Sequence, residues 1–411
     1  MLGEERVGQL VSAPEGVYFG YDILFARKGI ELSPYKLPLQ KAPFKPFRWA
    51  GNNLPGLFVD SLPDKYGREV IAKHLSKEGK RMFSDIQLLA YLGKRTMGAL
   101  TYEPATGYVD NGEPFDLVKA ARESRRISNV KGRVDKALLL SGGTAGGAAP
   151  KALVAIDRDS GEIIRTGSGK IPDGSEPWLL KFTDPKHPDI GLIEYTYSLM
   201  AKEAGIQMPE TRLVLDTEGI KHYAVRRFDR GLEDPNERYH VHSYAGLGHL
   251  DFSDNDLDYM DLLETTYDLT KNQEHVVEQF RRMVFNVMAH CRDDHAKNFS
   301  FMLKGGDWQI TPAYDVIFSN NIYARNYMLV DQKASDELNR ADLERVGEKL
   351  SISRHDVSSI LERIEAAIAR WSRLAKDVGV GCDWTEEISL RTRAIAKSLE
   401  PEEKAQRRRK R

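Results

Sequence analysis

Three kinds of hydrophobic spacing divide the chain. From residue 7 to about 102, short β-type runs such as VYFGYDILFA alternate with Pro and Gly punctuation and close on one helical stretch, SDIQLLAYL. This predicts a small α+β unit over 1–105. A polar connector follows, EPATGYVDNGEPFD and then the charged KAARESRRISNVKGR, before four strand-like segments, KALVAI, PWLLKF, TRLVL and HYAVRRF. Between the second and third, GLIEYTYSLMAKEAGI places Ile193, Tyr197, Met200, Ala201 and Ala204 on one helical face, and Gly205 stops it. Beyond about residue 231 the period becomes helical. In HVVEQFRRMVFNVMAH, the residues Val276, Val277, Phe280, Met283, Val284, Val287 and Met288 form a broad apolar stripe that reads as core. Helical runs over 354 to about 376 and over 384–398 precede a basic tail, AQRRRKR. The pattern predicts a strand-rich lobe over 106–235 and a mostly helical lobe over 236–411, with no internal repeat.

Composition narrows the class without choosing a function. With 411 residues the chain is long enough for two or three packed units, and an apolar share of 41% against 29% charged is that of a globular protein. A net charge of −1 supplies no global field toward nucleic acid or membrane. Cys291 and Cys382 give neither a disulfide framework nor a metal-ligand spacing, which fits a reducing cytoplasm. No stretch of about eighteen apolar residues occurs and the start, MLGEERVGQL, has no secretory pattern, so a cytoplasmic location away from membranes is expected.

The strongest chemistry follows the apolar helix, in HCRDDHAKNFSFMLKGGDWQITPAYDV. Asp293 and Asn298 have the D-x-x-x-x-N spacing of a kinase catalytic loop, and Asp315 follows a hairpin-like FMLKGGDWQIT. Phosphoryl transfer needs such a set: one carboxylate to accept the hydroxyl proton, and an amide oxygen with a second carboxylate to hold Mg²⁺ against the phosphates. Asp294 competes with Asp293 as base, but only Asp293 has the spacing to Asn298. His295 stands where a kinase has a cation near the transferred phosphate. Taken singly, these Asp and Asn residues also fit Asx turns in a polar loop.

A kinase also needs a strand lysine, and PWLLKF supplies Lys181. Its ammonium is placed either against an ATP phosphate or snorkelling at a sheet edge. Glu194 and Glu203, both on the following helix, are the two available ion-pair partners. LVAID, by contrast, has the strand pattern without a lysine. The eukaryotic signatures are incomplete: HCRD replaces H-R-D, YDV replaces D-F-G, and there is no A-P-E or G-x-G-x-x-G. The stretch SGGTAGGAAPK, Ser141 to Lys151, is not a Walker A loop, because Ala148, Ala149 and Pro150 separate its last glycine from the lysine. Its glycines nevertheless permit backbone N–H groups to close around phosphates.

These motifs together resemble the HipA family of bacterial toxin kinases. NNLPGLFVDSLPD is similar to the family's N-terminal signature, SGGTAGGAAPK to its glycine-rich loop, AVRRFDR to its hinge, and RDDHAKNFSF with ITPAYDV to its catalytic and metal motifs. The resemblance implies a two-lobed, protein-kinase-like α+β fold that uses ATP and Mg²⁺ to phosphorylate a serine or threonine of a protein, aminoacyl-tRNA synthetases being among the family's substrates. It implies a HipB-like helix-turn-helix antitoxin as partner, through which operator DNA is bound. Asp293 would then be the base, Asn298 and Asp315 the Mg²⁺ ligands, and Lys181 the α/β-phosphate contact. Thr144, Ala145, Gly146, Gly147 and Lys151 would form the phosphate loop. Arg227 and Phe228 would present backbone to adenine, and Asp229 would reach the ribose. Arg226 departs from the acidic residue common in the family at that position. Autophosphorylation seven residues before the loop lysine points to Thr144, with Ser141 as the other candidate. The tail reads either as a DNA contact or as a solvated terminus. A small-molecule or lipid kinase and a non-catalytic nucleotide-binding co-repressor are the rival functions.

Overall fold

A computed structural model describes residues 1–77, 83–112, 114–126, 136–142, 149–319 and 326–399. The chain forms two compact units, one made of Met1–Gly191, Glu210–Asp251 and Ser300–Asp307, the other of Leu192–Pro209, Phe252–Phe299 and the chain from Trp308 onward.

The first unit opens on an antiparallel hairpin, β1 (Gly8–Ala13) and β2 (Gly16–Tyr21). The run that alternates like a strand, VYFGYDILFA, is strand only as far as Tyr21. Asp22 then accepts the Leu24 N–H at 2.8 Å and caps a single helical turn, Ile23–Ala26. The helix expected in SDIQLLAYL is present as Asp85–Leu92, with a capping box between Ser84 and Gln87. The polar connector contains the helix Leu117–Arg126, and a further helix, Lys136–Gly142, follows it and includes the first residues of the glycine stretch. The first of these buries Ala120, Ala121 and Ser124, a face of small side chains that leaves almost no hydrophobic period in the sequence.

The predicted strands form one antiparallel sheet of order β4–β3–β5–β7–β6: β3 (Lys151–Asp157), β4 (Ile163–Thr166), β5 (Ser175–Lys181), β6 (Thr211–Leu215) and β7 (Lys221–Arg226). From Lys151 to Ile156 every residue of β3 is buried, which explains its continuous apolar run. Val154, Ile156, Trp178 and Leu180 share a core with Phe58, Leu62 and Tyr66 from the N-terminal residues.

A further strand, β8 (His240–Ser243), pairs antiparallel with β9 (Ser300–Lys304), and β10 (Asp307–Ile310) completes that sheet. The Asp60 carboxylate accepts from His242 Nδ1 at 2.6 Å and from the backbone N–H and Oγ of Ser243, both at 2.7 Å. Beside it, a Cβ on Gly56 would lie 1.9 Å from the Gly246 carbonyl oxygen, so this approach requires glycine. Neighbouring His240 donates Nε2–H to the Leu32 carbonyl at 2.8 Å, and burial holds its pKa down at about 4; His249 is likewise lowered to about 4 by burial. The folded chain therefore keeps both imidazoles neutral, while an unfolded chain protonates them below about pH 6.5. Stability is expected to be constant above pH 7 and to fall as pH drops from 6.5 toward 4. At pH 5, about 2 kcal/mol of that loss would come from His240. Urea midpoints at pH 7.5 and 5.0 measure the effect, and His240→Gln should remove its share and leave that of His249.

The second unit is helical. Helix Gln273–Met288 carries the predicted stripe at its centre, and Tyr197 from helix Asp189–Glu203 donates to the Ala289 carbonyl at 2.7 Å where it ends. Gly205, at φ +86°, terminates the latter helix as expected. The run over 354–376 is two helices, Arg354–Ala369 and Trp371–Val378. Trp371 is buried and donates Nε1–H to the Thr385 carbonyl at 3.0 Å, fixing the corner against helix Cys382–Ser398.

Candidate active site

The D-x-x-x-x-N motif occupies the turn that leaves helix Gln273–Met288. His290 adopts a left-handed conformation at φ +59°, the chain reverses, and a 3₁₀ turn, Ala296–Asn298, leads into β9. The backbone of this loop is fixed by side chains: Ser319 Oγ accepts the N–H groups of Arg292 at 3.1 Å and Asp293 at 3.0 Å. Asn298 donates Nδ2–H to the Asp293 carbonyl at 2.7 Å, which orients its amide and presents Oδ1 on the other side. Asp315 is held in the left-handed region at φ +55°, costly for a non-glycine residue and a feature that gathers at functional sites. Asp293, Asn298 and Asp315 line one cleft within the second unit, with Asn286 and Tyr314.

The two adjacent carboxylates differ sharply. The Asp293 side chain is 50% exposed, with His295 Nε2 4.0 Å from its Oδ1. Asp294 is 3% exposed and accepts from Tyr259 Oη at 2.6 Å, Asn326 Nδ2 at 2.8 Å and the Tyr327 N–H at 2.7 Å. Burial raises its pKa despite those donors. His295 lies edge-on between the Phe252 and Tyr327 rings, and Lys297 sets its Nζ 4.6 Å over Phe252.

In the first unit, Lys151 and Lys181 are direct cross-strand partners of β3 and β5, so both side chains leave the same face of the sheet. Lys181 is also paired with Tyr223 of β7, whose ring lies 5.9 Å from its Nζ. Of the two glutamates offered as partners of Lys181, Glu203 is taken by Arg370 at 2.8 Å.

The hinge differs from expectation. Asp229 is 3% exposed, and its carboxylate accepts from Arg227 at 2.8 and 2.9 Å, Arg230 at 2.7 Å and the Gly98 N–H at 2.8 Å. These charges hold its pKa far below the usual carboxylate range. Its oxygens are committed to the interior, so the ribose contact expected of Asp229 is replaced by a structural role. The Arg227 N–H donates to the Pro177 carbonyl at 3.0 Å, which removes that amide from adenine recognition and leaves Phe228, half-buried, as the next residue. Arg226 pairs with Glu176 at 3.1 Å. Ser141 belongs to helix Lys136–Gly142, fully buried, donating Oγ–H to the Ala137 carbonyl at 2.6 Å. Thr144, Ala145, Gly146, Gly147 and the tail lie outside the described residues. Sequence reasoning missed Ser319, Tyr259 and Asn326, which carry no motif of their own.

Two family models match the chain, the HipA N-terminal domain over residues 1–103 and the HipA-like C-terminal domain over 143–371. Among solved structures, the chain is similar to one from the Shewanella oneidensis MR-1 toxin–antitoxin complex of HipA, HipB and operator DNA. The identity is 17%, coverage is 97% of this chain and 96% of that chain, and the TM-score is 0.70. A second is the Helicobacter pylori proinflammatory kinase CtkA, at 13% identity, covering 62% of this chain and 90% of that one with a TM-score of 0.42. No curated protein matches. The fold is thus that of HipA, the α+β fold expected from the sequence.

Proposed function

The chain belongs to the HipA family, and on that premise we propose that it is an ATP- and Mg²⁺-dependent serine/threonine-protein kinase, the toxin of a toxin–antitoxin module. The observation that carries this reading is the single cleft in which Asp293 is half-exposed beside Asn298 and Asp315. In the reaction, the acceptor hydroxyl oxygen bonds to the γ-phosphorus as the bond from phosphorus to the β-phosphate bridging oxygen breaks, ADP leaves, and the hydroxyl proton passes to Asp293. Asn298 Oδ1 and the Asp315 carboxylate are the oxygen donors a hard cation takes, and Asn298 is already oriented by its bond to Asp293. Mg²⁺, when bound, neutralises charge on the β- and γ-phosphate oxygens. Lys151 and Lys181 supply cations for the phosphates from the sheet, and His295 lies beside the base for the γ-phosphate. Arg227 and Asp229 act by holding the hinge, and Phe228 meets adenine.

A HipB-like helix-turn-helix antitoxin is the partner, with operator DNA bound mainly through it. The substrate is a protein of translation such as an aminoacyl-tRNA synthetase. The loop residue that becomes phosphorylated is Thr144, because the Ser141 hydroxyl is buried and already bonded. Phosphate there would bring about −1.5 to −2 charges into a loop that holds ATP phosphates and would expel it.

The test incubates the full chain with γ-labelled ATP, with Mg²⁺ or EDTA, alone and with cell extract. Label on protein, dependent on Mg²⁺, is expected, with self-labelling lost in Thr144→Ala and kept in Ser141→Ala. Label confined to metabolites would overturn the protein-kinase reading.

A further inference from the structure

We propose that Asp294 is a positioning residue that sets the pose of Asp293 from a buried hydrogen-bond junction. This rests on the kinase reading above and adds to it a residue that never meets substrate. The catalytic loop leaves its helix at His290 and has no secondary structure until Ala296, so its own backbone ladder does not fix where Asp293 points. Two anchors do. Ser319 Oγ accepts the N–H groups of Arg292 and Asp293. Asp294 forms the other anchor and takes three donors from two separate stretches of chain. Its Oδ2 accepts from Tyr259 Oη at 2.6 Å and Asn326 Nδ2 at 2.8 Å, and its Oδ1 accepts from the Tyr327 N–H at 2.7 Å. The junction is cross-braced, since Tyr259 Oη also accepts from Asn286 Nδ2 at 3.0 Å, and Asn326 Nδ2 reaches the Cys291 carbonyl at 3.1 Å. Residues on both sides of Asp293 are thereby tied to one point.

A carboxylate suits this place because every group facing it is a donor. An amide would supply one acceptor oxygen and turn an N–H₂ toward donors. Burial makes the loss costly, since no water replaces the missing acceptor. The chemistry that would have to be done by Asp294 as base is excluded by the same contacts, as its oxygens point into the core, away from any acceptor hydroxyl. Its effect on the reaction runs through Asp293.

The experiment is a kinetic cycle on the full chain. Single-turnover labelling from γ-labelled ATP is measured for wild type, Asp294→Asn, Asp293→Ala and the double variant, with nucleotide affinity measured separately. Asp294→Asn should lower kcat about twenty- to a hundredfold and leave ATP affinity within about threefold. In the Asp293→Ala background, the same change should cost less than about twofold, because the residue being positioned is already gone. Tyr259→Phe, which removes one donor and keeps the ring, should fold normally and lower kcat about fivefold by the same route. Equal losses in both backgrounds, or an unchanged kcat in Asp294→Asn and Tyr259→Phe, would overturn the proposal. A wild-type chain that transfers no phosphate fails at the kinase reading itself, and the positioning role falls with it.

Discussion

Replacing Asp293 by asparagine is expected to slow phosphate transfer by about a thousandfold while ATP affinity stays within about twofold. Positioned general bases contribute about 10² to 10⁴ in rate, and an amide of the same shape removes the base and little else. The local geometry makes this a clean substitution. Asn298 is oriented by the Asp293 main-chain carbonyl and not by its carboxylate, so the proposed Mg²⁺ ligand keeps its pose in the variant. The Asp293 N–H stays with Ser319, and the half-exposed side chain leaves no buried group unpaired. Stability should move by less than about 0.5 kcal/mol. Labelled-ATP assays with parallel nucleotide titrations and thermal melts check all three. An undiminished rate would dismiss Asp293 as the base.

The largest stability loss is expected at Asp229. Converting it to alanine leaves Arg227 and Arg230 buried without their counter-charge and the Gly98 N–H without an acceptor. Breaking a buried pair by deleting one partner costs about 3–5 kcal/mol, because the remaining charges are uncompensated and far from water. Urea unfolding should show that loss. Asp229→Asn separates the structural role from a nucleotide contact: it should still lose stability, while the folded fraction binds ATP as wild type does. Weakened ATP binding at unchanged stability would restore the ribose contact.

These two aspartates also show where sequence reading succeeds and fails. The grouping of Asp293, Asn298 and Asp315 in one cleft was legible because such a motif is local: the three residues follow one another at spacings set by a single turn and a hairpin. Strands such as KALVAI and PWLLKF were legible because burial on both faces writes a continuous apolar run. Asp229 was misread because its partners include Gly98, 131 residues away, and the motif says nothing about which way a carboxylate turns. The helix Leu117–Arg126 was missed because alanine and serine make its buried face. The break at Arg370 was missed because Trp371 turns the chain through packing and a bond to Thr385, both remote in pattern. Ser141 looked available as a loop hydroxyl until the helix Lys136–Gly142 enclosed it.

The opposed placement of Lys151 and Lys181 bears on how such a chain tolerates insertion and deletion. Each lysine ends or begins its strand, and the two meet only because seven successive residue pairs align β3 with β5, from Lys151 with Lys181 to Asp157 with Ser175. One residue added or lost inside either strand would turn one ammonium to the opposite face, with the apolar residues beside it. A length change between Asp157 and Ser175 would leave this pairing untouched provided that β4, which lies in that interval, keeps its own pairing with β3, so the two lysines act as a ruler for the sheet.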